Sequence, residues 1–201
     1  MKYLFYDIES AKNDDKNGNI CEFGYVLTNE KFEILEKDNI LINPNVIGNW
    51  DYYVVKNLLS YPKQKYLECD KFESVYTKIK ELFKTANCIF IFGDPTKADI
   101  KKINEECKRN KLEYINFTVY DIQKIYQNYK KVKIEKGLYK VLGLEGITSL
   151  GTEHNAMDDA ENAMLLLKFI TGKTTRIMMN LLNDCLGAKL KNKNGKIKND
   201  K

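Results

Sequence analysis

No stretch of this 201-residue chain approaches the roughly 18 consecutive apolar residues that a bilayer-crossing helix requires. The N-terminus, Met1 to Asp7, meets an acid at once and has no small-residue cleavage site, so no signal peptide is expected. There are only three prolines and no Pro/Ser-rich stretch, so no linker divides the chain, and no internal repeat is visible. The five cysteines, Cys21, Cys69, Cys88, Cys107 and Cys185, are scattered, odd in number and form no Cys-x-x-Cys pair. That spacing speaks against a disulfide framework or a zinc site and predicts a reducing, cytoplasmic setting. Histidine occurs once, at His154.

What remains is an ordinary globular balance, 43% hydrophobic and 30% charged, in a length that suits one well-buried domain. The formal net charge of +5 is local: six lysines after Gly187, opposed only by Asp200, account for all of it. Residues 187–201 therefore predict a disordered basic tail, read either as a loose, sequence-blind contact to phosphates or as a solubilising end. Residues 173–186, with Ile177, Met178, Leu181, Leu182 and Cys185, predict an amphipathic helix packed on a domain spanning residues 1–172.

Residues 3–8 are an apolar run of high strand propensity, consistent with a central buried strand. A polar loop follows over residues 11–19, and two further strands are expected at 20–28 and 32–43, joined by a hairpin at Asn29-Glu30-Lys31. Residues 51–67 are mixed and give no clear period. Residues 71–86 carry Phe72, Val75, Ile79, Leu82 and Phe83 at helical spacing, and Cys88–Phe92 is an apolar run that reads as a buried strand. A helix is expected over 96–110, a strand at 115–119, and helices at 122–129 and 155–170. Three antiparallel strands followed by helix-crossed parallel strands predict an α/β fold, a mixed sheet flanked by helices.

Several acids stand where such a fold would bury them. Asp7 and Glu9 are two residues apart on an extended segment and so point to one side. Like charges on one face of a central strand repel, and a divalent cation between them would remove the repulsion; a strand tip at which both are solvated would do so too. Asp159 falls on the helical stripe Ala156, Asp159, Ala160, Ala163, Leu166, Leu167, Ile170, whereas Asp158, Glu161 and Lys168 fall on the opposite side, expected to be polar. A carboxylate on a buried stripe is rare unless paired or metal-bound. His154, five residues earlier at a loop-to-helix junction, is a candidate general base, because imidazole titrates in the neutral range. Asp99 opens a helix, where Thr96-Lys-Ala-Asp99 also fits a capping box, and Asp94 competes with it for any metal role.

These pieces, in this order, resemble the DEDDh family of 3′–5′ exonucleases, of the ribonuclease H-like superfamily. The first motif is Phe5-Tyr-Asp7-Ile-Glu9-Ser10, with Ile20-Cys-Glu-Phe-Gly24 matching the family's second strand. The second is Ile89-Phe-Ile-Phe-Gly-Asp94-Pro-Thr-Lys-Ala-Asp99, whose spacing selects Asp99. The third and most specific is His154-Asn-Ala-Met-Asp-Asp159-Ala160. The resemblance covers residues 3 to 170. Two positions depart from the pattern: Ser10 stands where the family usually has Thr, and Asp94-Pro95 where it often has His-Asn.

The resemblance implies a ribonuclease H-like fold and hydrolysis of phosphodiester bonds at the 3′ end of single-stranded DNA or RNA, releasing 5′-mononucleotides. It implies two divalent cations, Mg²⁺ or Mn²⁺, with Asp7 bridging both, Glu9 and Asp159 completing the first site and Asp99 supporting the second. His154 would take the proton of the attacking water, and Ser10 would contact substrate. The partner is then a single strand or a 3′ end, with no membrane, and a homodimer stays open. An inactive nucleic-acid-binding module and a nuclease for very short oligonucleotides are the alternative readings. Which of the 13 tyrosines would meet a strand is not legible in the sequence.

Overall fold

A computed structural model describes residues 1–12, 19–46, 49–93, 99–133, 137–173 and 180. The expected basic tail and nearly all of the C-terminal helix candidate lie outside the described residues, as does Asp94.

The chain opens with a meander. β1 (Lys2–Ser10) pairs antiparallel with β2 (Ile20–Asn29), which pairs antiparallel with β3 (Ile34–Leu41). The hairpin between β2 and β3 is closed by Asn29, whose backbone receives the amide of Phe32 and whose side chain receives those of Lys31 and Glu33. That is the turn-building role of a short amide side chain. Two short helices follow, α1 (Tyr52–Asn57) and α2 (Lys63–Leu67), then α3 (Phe72–Thr85). β4 (Cys88–Ile91), α4 (Asp99–Arg109), β5 (Val119–Asp121), α5 (Ile122–Lys130), α6 (Leu138–Leu144) and α7 (Ala156–Lys173) complete the order. β4 and β5 run parallel to β1, giving one five-stranded mixed sheet in the order β3-β2-β1-β4-β5.

β1 is the central strand because its side chains are apolar on both faces. Leu4, Tyr6 and Ile8 enter one core with α3 and α4; Tyr3 and Phe5 enter the other with α5, α6 and α7. Strand alternation turns this one segment into two cores.

Four points of the sequence reading need correction. The strand expected at 115–119 forms at Val119–Asp121 instead, since only there does the chain reach register with β4. The helices α1, α2 and α6 fall where no period was legible, because each is seven residues or shorter and buries only one to three side chains. Glu161 does not face solvent: it is buried and paired with Lys37 of β3 at 2.7 Å, because α7 lies across the sheet and is covered on more than one side. Cys21, Cys69 and Cys107 are free, but Cys88 is disulfide-bonded, against the sequence reading; Cys185 lies outside the described residues. Spacing between cysteines far apart along a chain does not show which of them meet in space.

Candidate active site

The site forms where β1 outruns β4. Parallel pairing between the two ends at Phe5–Phe90, while the antiparallel pairing with β2 continues through Asp7–Gly24 and Glu9–Glu22. The last residues of β1 are therefore laddered on one side and open on the other. By alternation Asp7 and Glu9 continue the Tyr3–Phe5 face, the face on which α7 packs. The ladder shifts register between Glu9 and Ser10, which ends this regular projection.

Gly24 brings α7 to the acids. A Cβ at this position would stand 2.0 Å from the backbone of Ala156 and Met157, so only glycine lets the start of the helix lie on β2 beside Asp7. The helix begins after Asn155, whose side-chain oxygen accepts the amide of Asp158 at 3.2 Å. Asp159, in the first turn, is held at both oxygens: the Tyr139 hydroxyl donates at 2.7 Å and the His154 amide at 3.2 Å. His154 adopts a left-handed backbone, φ 68°, uncommon outside glycine and a mark of a position fixed by its surroundings. Its carbonyl accepts the Ser60 hydroxyl at 2.9 Å, and its half-exposed imidazole carries Nδ1 3.9 Å from Glu9 Oε1. One potential ligand atom each from Glu9, His154 and Asp159 lie within 4.8 Å of one another.

The electrostatics are those of crowded, half-buried acids. Burial pushes the Asp7 carboxyl well above the usual carboxylate range, and Asp99, Glu9 and Asp159 push it further. Glu9 rises to about 9, from burial and then from Glu22 and Asp159, with Lys102 opposing. Asp99 and Asp159 each rise to about 6, in both cases mainly from burial. Asp99, at the first turn of α4, thus acts on Asp7 and Glu9 from the opposite face of the sheet. The four acids and His154 are one group in space; the capping-box alternative for Asp99 involves Thr96, outside the described residues. Ser10 is buried, and its hydroxyl lacks a partner among the described residues.

Asp7 and Glu9, whose proton affinity the neighbouring acids raise further, are short of positive charge. Hard oxygen donors around an open cleft suit small divalent cations of the Mg²⁺ or Mn²⁺ type, so the residues present fit such ions. The cleft itself is about 210 Å³ and is lined by Tyr6, Asp7, Phe92, Leu138, Tyr139, His154 and Asp159 among others.

A family model for exonucleases of the RNase T type matches residues 4–167, four-fifths of the chain and all of the site. The chain belongs to this exonuclease family. No curated protein matches its sequence significantly. Among solved structures it is similar to the nuclease domain of 3′hExo, a DEDDh family member bound to rAMP, at 21% identity and a TM-score of 0.71, covering 86% of this chain and 92% of that domain. A full-length 3′-exonuclease gives 21% identity and a TM-score of 0.72 over 86% of this chain and 60% of its own length. E. coli exonuclease I in complex with a 5cy-dA13 oligonucleotide gives 15% and 0.74 over 90% of this chain, which spans only 43% of that enzyme. At these identities the likeness is one of fold.

Two residues of this exonuclease went unrecognised in the sequence as parts of the site. Glu22 is fully buried opposite Glu9 and accepts hydrogen bonds from the Tyr66 hydroxyl, from Asn39 at 2.7 Å, and from the backbone of Ser60 and Ala156. It ties β2, β3, the α1–α2 link and the start of α7 to one carboxylate. An acid inside the apolar run Ile20–Tyr25 was the available signal, the same signal that singled out Asp159. Tyr139 gave none: it is one tyrosine among 13 on a seven-residue helix.

Proposed function

We propose that this exonuclease hydrolyses single-stranded DNA or RNA from the 3′ end and releases 5′-mononucleotides, with Asp7, Glu9, Asp99 and Asp159 holding two divalent cations. The observation that carries the reading is the convergence of four half-buried acids and the only histidine at the open tip of β1. Such ions, when bound, neutralise the phosphate and lower the pKa of a coordinated water.

The chain's own residues supply the rest. The cleft beside Asp7 pairs an apolar wall, Phe92, Leu138 and Ala163, with the acids, so a terminal nucleotide can bury its base while its phosphate meets the site. His154, partly open to solvent next to Glu9, takes the proton of the attacking water. The oxygen of that water bonds to phosphorus, the bond from phosphorus to the 3′ oxygen of the preceding nucleotide breaks, and that oxygen leaves as a hydroxyl. Tyr139 keeps Asp159 turned toward the cleft. The relatives bound to rAMP and to an oligonucleotide support a nucleotide in this cleft.

The test is a 5′-labelled oligonucleotide with a 3′ overhang, as DNA and as RNA, with Mg²⁺, Mn²⁺ or EDTA. A metal-dependent ladder shortening from the 3′ end is expected. Asp7→Ala should lower the rate by roughly a thousandfold or more and His154→Ala by about a hundredfold or more. Shortening that survives Asp7→Ala would refute the assignment.

A further inference from the structure

Of the tyrosines, Tyr52 and Tyr53 are the most exposed, at 77% and 62%, and both lie on α1. This helix runs along the rim of the site and is fastened at both ends. At one end the Asp51 amide donates to the carbonyl of Ala11, one residue past Ser10, at 3.2 Å. In the link that follows its other end, the Ser60 hydroxyl donates to the carbonyl of His154.

Charge on this rim has one sign to offer. Residues 50–66 contain Lys56, Lys63 and Lys65 against one acid, Asp51. The Asp51 carboxylate is already engaged, accepting the amides of Tyr53 and Val54 at 2.9 and 3.2 Å to start the helix. Lys56 stands 5.7 Å from the centre of the Tyr52 ring, one turn away, and Lys63 stands 5.1 Å from that of Trp50. Exposed aromatic faces interleaved with ammonium groups are the elements from which proteins build a platform for unpaired bases and their phosphates.

We propose that the α1 rim carries the single strand upstream of the nucleotide being removed, with bases stacking on Tyr52 and Tyr53 and phosphates meeting Lys56 and Lys63. The proposal rests on the exonuclease reading of the neighbouring site, and it gives that site a preference for strands longer than the cleft alone can hold. Stacking is indifferent to base identity, so the rim adds length dependence without sequence preference.

The experiment compares a 20-nucleotide oligo-dT with p-nitrophenyl thymidine 5′-phosphate, which fills the terminal position alone. Tyr52→Ala/Tyr53→Ala should lose tenfold or more in kcat/KM on the 20-mer, chiefly through KM. On the ester it should match wild type, and Tyr52→Phe/Tyr53→Phe should restore the 20-mer rate. Tyr114→Ala, at an exposed tyrosine in a separate cleft beside Lys80 and Lys84, should change neither. Unchanged rates on the 20-mer, or equal losses on both substrates, overturn the rim. Should wild type hydrolyse neither substrate, the exonuclease reading falls by itself. Anisotropy of a labelled 20-mer in EDTA then still decides: tenfold weaker binding by the alanine variant supports the rim, and equal binding overturns it.

Discussion

α4 and α7 each deliver one aspartate to the tip of β1, from opposite faces of the same sheet, and they hold it by different means. Asp159 on α7 is fixed at its own oxygens by Tyr139 and the His154 amide, on a helix start pressed against Gly24. Asp99 on α4 is steadied from a distance. Two turns along, the fully buried Glu106 accepts the Ile20 amide at 3.0 Å and pairs with Arg109 at 2.6 Å; Arg109 reaches on to the carbonyl of Pro44. Both acids end with carboxyls raised to about 6 by burial. The same electrostatic state is thus reached with one carboxylate preorganised at its own oxygens and the other, among the described residues, positioned through its helix. The cluster of acids therefore has one firm side and one adjustable side.

The largest effect is expected where α7 meets the sheet. Gly24→Ala pushes a methyl into helix backbone that cannot yield, and should cost about 3 kcal/mol in stability and roughly a hundredfold in rate. Urea melts and turnover on a single strand measure the two, and a variant with wild-type values would show that α7 has room to retreat. The matching cut on the other side is Arg109→Met, which leaves Glu106 buried without its counter-charge. A loss of about 3 kcal/mol is expected. If the folded fraction keeps full activity, the Glu106–Arg109 anchor does not govern Asp99.

Cation dependence tests both arms together. A carboxyl whose folded pKa is raised binds its proton more tightly folded than unfolded. In EDTA, therefore, stability is greatest in acid and falls as pH climbs from the ordinary carboxylate range through about 6 for Asp99 and Asp159, and on toward about 9 for Glu9. Mg²⁺ at 100 times its dissociation constant should restore about 2.7 kcal/mol. The rise in Tm should be larger at pH 8 than at pH 5; an equal rise at both would place the ion away from these acids. The smallest effect belongs to Tyr139→Phe, which removes one of the two hydrogen bonds on Asp159. About 1 kcal/mol, or roughly fivefold in kcat, is expected with KM little changed. An unaltered kcat would mean that Asp159, like Asp99, is held by its helix alone.

Much of this was legible beforehand, and unevenly. β1, β2, β4, α3 and α7 follow from runs and periods long enough to read, and Asp7, Glu9 and Asp159 stood out as acids in apolar company. α6 and α1 are too short to show a period, which hid both Tyr139 and the exposed pair Tyr52–Tyr53. Glu161 was misread because α7 is buried around most of its girth, and a stripe argument assumes a single buried face.

By itself the sequence determined the fold class, the strand that carries the first acids and the helix that carries the last, because hydrophobic period and local spacing are properties of short segments. Only the tertiary structure decided that residues 7, 9, 22, 99, 139, 154 and 159 meet. Their meeting depends on a strand order set by both faces of β1, on a glycine across from Asp7 that lets a helix touch the sheet, and on buried carboxylates whose charge is felt only when water is gone.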